Sequence, residues 1–431
     1  MRALFPQGTP VPIRCWDGSV VGGERGPAPA VLHLRSPDAL RRIVWSPGEL
    51  GLGRAYVAGD LDVEGDMFAV LGLREALGSA GRGARLALGP RGWARAVAAA
   101  VRAGALGPPL APPEAEARLR GRRHTPGRDA AAIAHHYDAS NDFYRLLLGP
   151  SMTYSCAFFA DPGTDLDRAQ EAKHELVCAK LGLQPGQRLL DVGCGWGSLA
   201  IHAARRHGVQ VVAVTLSADQ AELARRRVEE ADLADRVAIR RQDYRDVDDG
   251  PFDAIASVGM FEHVGLARLG LYFEHLRDLL APSGRLLNHA ISRPSGQVRP
   301  QPRSFGERYV FPDGELQEVG RVVSAMQDRG LEVRDVESLR EHYALTLRAW
   351  TANLEAHWER AAAVAGPARP RIWRLYLAAS ALNFEAGRTS VHQVLAVRPE
   401  GGRSGMPLTR RSWLGAGTGA VDPEPSAVAG A

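Results

Sequence analysis

Apolar residues in this chain fall into short runs separated by amphipathic stretches of helical period, and the pattern is clearest between residues 188 and 291. The runs at 188–192, 210–215, 237–241, 252–258 and 285–291 predict strands, and helices intervene. One helix opens on the capping-box pattern Ser217-Ala-Asp-Gln220. Strand–helix alternation predicts an α/β fold, a doubly wound parallel sheet. Ligands of such sheets lie outside the carboxyl ends of the strands. Asp191, Thr215, Asp243, the stretch 259–263 and His289 all fall at those ends.

Elsewhere the pattern is weaker. Residues 1–105 combine β-like runs at 31–34 and 42–45 with glycine turns and a helical stretch at 93–101, which predicts a small N-terminal α/β domain. Residues 106–128, rich in Pro, Ala and Arg, read as a linker, and 129–398 as the main domain. The tail at 399–431, dominated by Gly, Pro, Ala and Ser, is expected to be disordered.

Composition narrows the class. A chain of 431 residues with 45% hydrophobic and 24% charged content has the profile of a globular protein with more than one domain. No apolar run approaches the roughly 18 residues of a spanning helix. The start lacks the apolar region of a secretion signal, so a cytoplasmic protein is expected. The four cysteines (Cys15, Cys156, Cys178, Cys194) are scattered without a CxxC pair, which argues against a disulfide framework or a structural zinc site, and no metal is expected. Basic residues are nearly all arginine, Lys173 and Lys180 being the only lysines, and this is read as base composition. Arginines crowd the stretch from Arg82 to Arg128, where they could meet anionic headgroups or simply be solvated.

The turn Asp191-Val-Gly-Cys-Gly-Trp-Gly197 carries the first chemistry. Its glycines let backbone approach a ligand, and the helix beginning near Ser198 offers unpaired N–H groups. An acidic residue before the glycines is unsuited to a phosphate. It suits the amino and hydroxyl groups of a nucleoside such as S-adenosylmethionine.

The chain resembles the cyclopropane-fatty-acyl-phospholipid synthase family of S-adenosylmethionine-dependent methyltransferases. The resemblance rests on His136-Tyr-Asp-Ala-Ser-Asn-Asp-Phe-Tyr144, Tyr154-Ser-Cys-Ala157, Leu190-Asp-Val-Gly-Cys-Gly-Trp-Gly197 and Val214-Thr-Leu-Ser217. Gln242-Asp-Tyr-Arg245, Ser257-Val-Gly-Met-Phe-Glu-His-Val-Gly265 and Tyr309-Val-Phe-Pro312 follow in family order. Glu49-Leu-Gly-Leu-Gly-Arg-Ala-Tyr56 and Gly59-Asp-Leu-Asp-Val63 resemble the family's N-terminal lipid-binding-type domain.

What this implies is a class I methyltransferase sheet holding S-adenosylmethionine at Tyr137, Asp191, Gly193, Gly195, Thr215, Leu216, Gln220, Asp243 and Tyr244. The implied reaction adds a methylene across the double bond of an unsaturated phospholipid acyl chain, through a carbocation deprotonated by bound bicarbonate. The implied bicarbonate ligands are Cys156, Glu262, His289, Ile291 (through its backbone) and Tyr343. A buried ionised Glu262 beside an anion would be costly, so Glu262 is expected to share or hold a proton. Aromatic candidates for stabilising the cation are Tyr154, Phe158, Phe261, Tyr309 and Phe311, each of which core packing would explain as well.

Family members often carry a cysteine where this chain has Ser380, so covalent catalysis there is not required. The resemblance further implies peripheral contact with the inner face of the membrane and a homodimer. A methylene- or methyl-branching enzyme and a non-catalytic lipid-binding relative are the rival readings. Nucleic acid is not expected, because the Asn/Asp-Pro-Pro-aromatic tetrapeptide of base-methylating enzymes is missing.

Overall fold

The computed structural model describes residues 11–23, 28–72, 107–117, 140–161, 163–296 and 304–411, with positions 98, 101, 104 and 128. Among these residues the chain forms β1 (Ile13–Cys15), β2 (Val20–Val21), β3 (Ala30–Leu34), α1 (Pro37–Trp45), α2 (Glu49–Ala58), β4 (Leu61–Gly65), α3 (Asn141–Leu148) and α4 (Leu166–Leu181). Next come β5 (Arg188–Val192), α5 (Ser198–His207), β6 (Gln210–Thr215), α6 (Ala218–Glu230), β7 (Val237–Arg241), β8 (Phe252–Val258), α7 (Leu269–Leu279) and β9 (Leu280–Ser292). The last elements are α8 (Phe305–Tyr309), α9 (Val319–Gln327), β10 (Glu332–Ser338), α10 (Arg340–Ala356), α11 (Trp358–Ala365), α12 (Ala368–Glu385) and β11 (Ser390–Val397). None of the described helices is long and apolar enough to cross a membrane.

Two compact units emerge, and each is assembled from separated parts of the chain. One comprises Met1–Gly149, Pro294–Gly314 and Tyr343–Thr389; the other Pro150–Arg293, Glu315–His342 and Ser390–Ala431. The units therefore do not follow the contiguous segments that composition predicted.

In the first unit β2-β1-β3-β4 form a four-stranded sheet, and Ile13, Leu34, Ala55, Tyr56, Leu61 and Val63 form its core with Ala378 of α12. The guanidinium of Arg371 donates to the carbonyls of Tyr56 and Leu61, so backbone groups at the end of this sheet gain charged donors. Gly53 is required where α2 meets α8, because a Cβ there would stand 2.2 Å from the Phe305 ring. The run at 42–45, expected as a strand, is the end of α1. Ser36 and Pro37 start that helix, and its Val44 and Trp45 are exposed.

The helical stretch at 93–101 lies almost wholly outside the described residues, although positions 98 and 101 are helical. Residues 107–117, inside the expected linker, are held as structure. Gly107, Pro108 and Ala111 accept bonds from Trp45, Arg41 and Arg42, and buried Glu116 takes two from Arg54 at 2.7 and 2.8 Å. Of the arginines proposed for headgroups, Arg128 is paired with Asp313; those between 82 and 123 lie outside the described residues.

The second unit is built on a seven-stranded sheet of order β10-β11-β9-β8-β5-β6-β7. Strands β5 to β9 run parallel, while β11 pairs antiparallel with β9 and β10 with β11. The expected bounds of β5, β6, β7 and β8 coincide with the observed ones, and β9 starts earlier than expected, at Leu280. Each sheet face carries an apolar layer, one with α4, α5 and α6 and the other with α7 and α9. The chain beyond Val397 does not become loose at 399 as expected. Ser283 donates to Arg398 O, Glu400 bridges to Arg403, and Arg410 reaches buried Asp335 at 2.7 Å. Residues 412–431 lie outside the described residues.

Candidate active site

All groups described next belong to the second unit unless stated. The strand β5 ends on Asp191 and Val192, and the N–H groups of Gly193 and Cys194 both donate to Val214 O at 3.0 Å, which folds the turn back over β6. Gly195 sits at φ +55° with nothing within 4 Å of a Cβ position, so its exposed backbone face is open to a ligand. Asp191 is buried, and its Oδ2 has no partner. Burial raises its carboxyl to about 7, against the opposing charge of Lys173.

On β6, Thr215 Oγ1 donates to Gln220 Oε1 at 2.8 Å, Ser217 caps α6, and Gln242 N donates to Thr215 O. Leu216 is half-buried beside them. Asp243 has its carboxylate engaged by Arg245, through the backbone N–H at 3.0 Å and the guanidinium at 2.9 and 2.5 Å. Burial works against ionisation there, but the Arg245 bonds hold the group below the usual carboxylate range. Tyr244 stands edge-on to Tyr272 at 5.3 Å. Tyr137 lies outside the described residues.

The second cluster forms where β8 turns beside β9. Gly259 N donates to His289 O, and the 3-10 turn Phe261–His263 then carries Glu262 back against the strand. Glu262 Oε1 accepts from Ile291 N at 2.7 Å, while its buried Oε2 has no partner. Burial raises Glu262 to about 7, with the Ile291 N–H opposing. His289 is 1% exposed; burial, reinforced by the charges of Lys173, Lys180 and His392, holds it neutral with a pKa of about 3. Its Nδ1 meets Gln393 Nε2 at 3.2 Å. With the amide donating, the imidazole proton sits on Nε2, which is buried and lacks a partner.

Cys156 is fully buried, its thiol donating to Ala157 O at 3.2 Å and Leu339 O at 3.6 Å. The segment carrying it is fastened to α4: Gln170 Nε2 donates to Ser155 O at 2.9 Å, and Phe158 N donates to Ala169 O.

Of the expected anion ligands, Glu262 and the Ile291 backbone are thus in direct contact, with His289 two residues away on the same face of β9. The Ile291 N–H is already committed to Glu262. Tyr343 belongs to the first unit, on α10, edge-on to Trp350 and packed against Phe384 at 4.7 Å. Among the aromatic candidates, Phe261 packs on Tyr272 and Phe273 as a core side chain, and Phe158 stacks on His342 at 4.9 Å. Tyr309, in the first unit, donates its hydroxyl to Glu116.

Three residues to which the sequence assigned no role join the site. Gln393 meets His289 Nδ1 through its side-chain amide, and Lys173 Nζ donates to Oγ of Ser155, the residue before Cys156, at 3.0 Å. The rarity of lysine was the signal available for Lys173. Among the described residues one group has metal-ligand composition, Cys178, His202 and His207, whose donor atoms lie within 4.8 Å of one another. Both imidazoles there already bond Glu175, at 3.0 and 3.2 Å.

The unpartnered atoms define what the site can take. Asp191 Oδ2 suits an ammonium group beside the open face of Gly195. Glu262 Oε2, once protonated, and His289 Nε2–H are buried donors that suit an anion.

A family model described as mycolic acid cyclopropane synthetase matches residues 124–394. A probable fatty acid methyltransferase of Mycobacterium tuberculosis (Rv3720) is 44% identical over 419 residues, covering 94% of each chain. The cyclopropane-fatty-acyl-phospholipid synthase of Escherichia coli K12 is 34% identical over 386 residues, 89% of this chain and 92% of that one. The crystal structure of the mycolic acid cyclopropane synthase CmaA1 complexed with SAH and CTAB superposes with a TM-score of 0.59 at 35% identity, covering 62% of this chain and 98% of that one.

Proposed function

Because the chain belongs to the mycolic acid cyclopropane synthetase family of S-adenosylmethionine-dependent methyltransferases, we propose that it adds a methylene across the double bond of unsaturated phospholipid acyl chains, with bicarbonate as the base. When bound, the donor supplies an electrophilic methyl group and bicarbonate a proton acceptor; everything else falls to the chain.

The Gly193–Gly197 turn and Asp191 would hold the amino-acid end of the donor, the carboxylate gaining the ammonium partner it lacks. Thr215, Leu216 and Gln220 would line the ribose, with Tyr244 beside the adenine. Asp243 is spent on Arg245, so it serves by fixing that turn rather than by donating a free carboxylate.

An isolated alkene is a weak nucleophile, and the cationic charge it develops needs a dry cavity. Burial of Cys156, Glu262 and His289 is consistent with one. The observation that carries the base assignment is the pair of unpartnered buried atoms, Glu262 Oε2 and His289 Nε2. His289, held neutral with its proton on Nε2, donates without adding positive charge. Glu262, raised to about 7, can hold the proton that makes it a donor rather than a repelling anion. Ile291 orients Glu262 through its N–H, and Tyr343 is assigned by family likeness alone. Peripheral contact with the inner membrane face, and a dimer, belong to the same reading.

The test is lipid analysis of a host that lacks cyclopropane lipids, expressing this chain or Glu262→Gln. Wild type should give upfield ring-proton signals, and the variant should lose product by about 10²-fold or more. Equal product from both would sink the role of Glu262. A second reading, methyl or methylene branching, is favoured by the name of the 44%-identical relative. Extracted lipid whose NMR shows branch protons and no ring protons would establish it in place of the first.

A further inference from the structure

The sequence has 53 lysines and arginines together, and only Lys173 and Lys180 are lysine. Both lie on α4 and both are buried, at 2% and 0% exposure. In a chain that uses arginine almost everywhere else, both lysines are buried, where a compact ammonium occupies less space than a planar guanidinium fork. They differ in their partners. Lys180 is neutralised by Glu337 at 2.5 Å and Asp335 at 3.3 Å. Lys173 pairs with no carboxylate among the described residues, and its one hydrogen bond goes to Ser155 Oγ at 3.0 Å. An ammonium carries three donors. A buried one with a single neutral partner is costly unless a further group completes it.

The surroundings identify that group by charge. Burial lowers the Lys173 ammonium to about 7, so an anion beside it would hold its charge; it bears electrostatically on Cys156, Asp191 and His289, and Ser155 precedes Cys156 in the chain. The anion ligands themselves supply no positive charge: His289 is neutral, Cys156 is a thiol bonded to carbonyls, and Glu262 is neutral at best. An anion placed there needs a counter-charge that stays within the protein, and Lys180 has already spent its own.

We propose that Lys173, seated on Ser155 beside Cys156, is a positioning residue of the anion site, the cation that balances a bicarbonate held by Cys156, Glu262 and His289. This rests on the bicarbonate reading above. A charge-assisted contribution of this kind changes an affinity by about 10- to 100-fold.

The experiment uses the full chain in carbonate-depleted buffer at matched ionic strength. Bicarbonate is titrated while the rise in melting temperature is followed, and SAH affinity is measured by calorimetry. The proteins are wild type, Lys173→Met and Ser155→Ala, which keeps the charge and loosens its seat. The expected result is that Lys173→Met needs about 10- to 100-fold more bicarbonate for half of the shift, and Ser155→Ala about threefold more, with SAH affinity within about threefold of wild type in both. Wild type that shows no bicarbonate-dependent shift overturns the bicarbonate reading and this proposal with it. Unchanged bicarbonate midpoints in both variants overturn the proposal and leave that reading standing. A Lys173→Met variant that loses SAH affinity while its bicarbonate midpoint holds overturns it too, and makes the lysine a partner of Asp191 alone.

Discussion

Glu262→Gln offers a sharp physical test because its effect on stability must depend on pH with a definite sign. Burial lifts the carboxyl from 4.5 to about 7, so the native chain holds this proton where the unfolded chain has lost it. Between those two values the native state binds more protons. The contribution of Glu262 is therefore fully present below pH 4.5 and lost as pH rises through about 7. The group is fully buried, and a displacement of this size corresponds to about 3 kcal/mol. Glutamine keeps an oxygen for the Ile291 N–H and has no proton to lose, so the variant should not share the decline. Urea denaturation of both proteins from about pH 5 to about pH 8 measures it. The variant should gain on wild type by about 3 kcal/mol across the window, most of it below pH 7. Asp191 and Lys173 also titrate near 7, but they are common to both proteins and largely cancel in the difference. A difference that stays flat with pH would refute a neutral, buried Glu262, and the donor role built on it would go too.

Three further outcomes follow from particular contacts. Gly193→Ala should lower the melting temperature and weaken SAH binding, because φ is +80° and the new Cβ would stand 2.8 Å from Met260 Cβ; an unchanged calorimetric affinity would contradict this. Lys180→Met should cost less than the roughly 3 kcal/mol of a fully stranded buried charge, because Arg410 stays on buried Asp335 at 2.7 Å, with the bicarbonate midpoint unaltered, as read by denaturation and the titration above. In the first unit, Arg54→Met should destabilise by about 3 kcal/mol, since among the described residues Glu116 would keep only Tyr309 at 3.2 Å and the distant Arg308; double-variant Arg54→Met/Glu116→Gln should recover part of the loss.

The inner parallel strands were legible because they are buried on both faces and end abruptly, as in Leu189-Leu-Asp191 and Val211-Val-Ala-Val-Thr215, while edge strand β7 showed the alternation of a half-buried one. β10 was not, because Glu332-Val-Arg-Asp-Val-Glu-Ser338 at the sheet edge keeps polar side chains on both faces and resembles a loop. The run Ile43-Val-Trp45 looked like strand because β-branched residues mimic one; the preceding Ser36-Pro37 start decided for helix. The interleaving of the two units is a property of tertiary contacts, and no local pattern announces that 294–314 and 343–389 join the first unit. Glu262 and Ile291 were both named as site residues, but their hydrogen bond to each other depends on strand register and turn geometry. Lys173 was visible as a rarity and set aside as base composition. Its meaning required knowing that it is buried and nearly partnerless.

The burial of both lysines gives the folded chain an unusual chemical silence. With no exposed ε-amine, reagents that acylate lysine find no lysine target on the native protein, and each side-chain modification requires α4 to open. The rate at which Lys173 and Lys180 become acylated therefore reads the opening of α4 directly, and a ligand that closes the site should slow it.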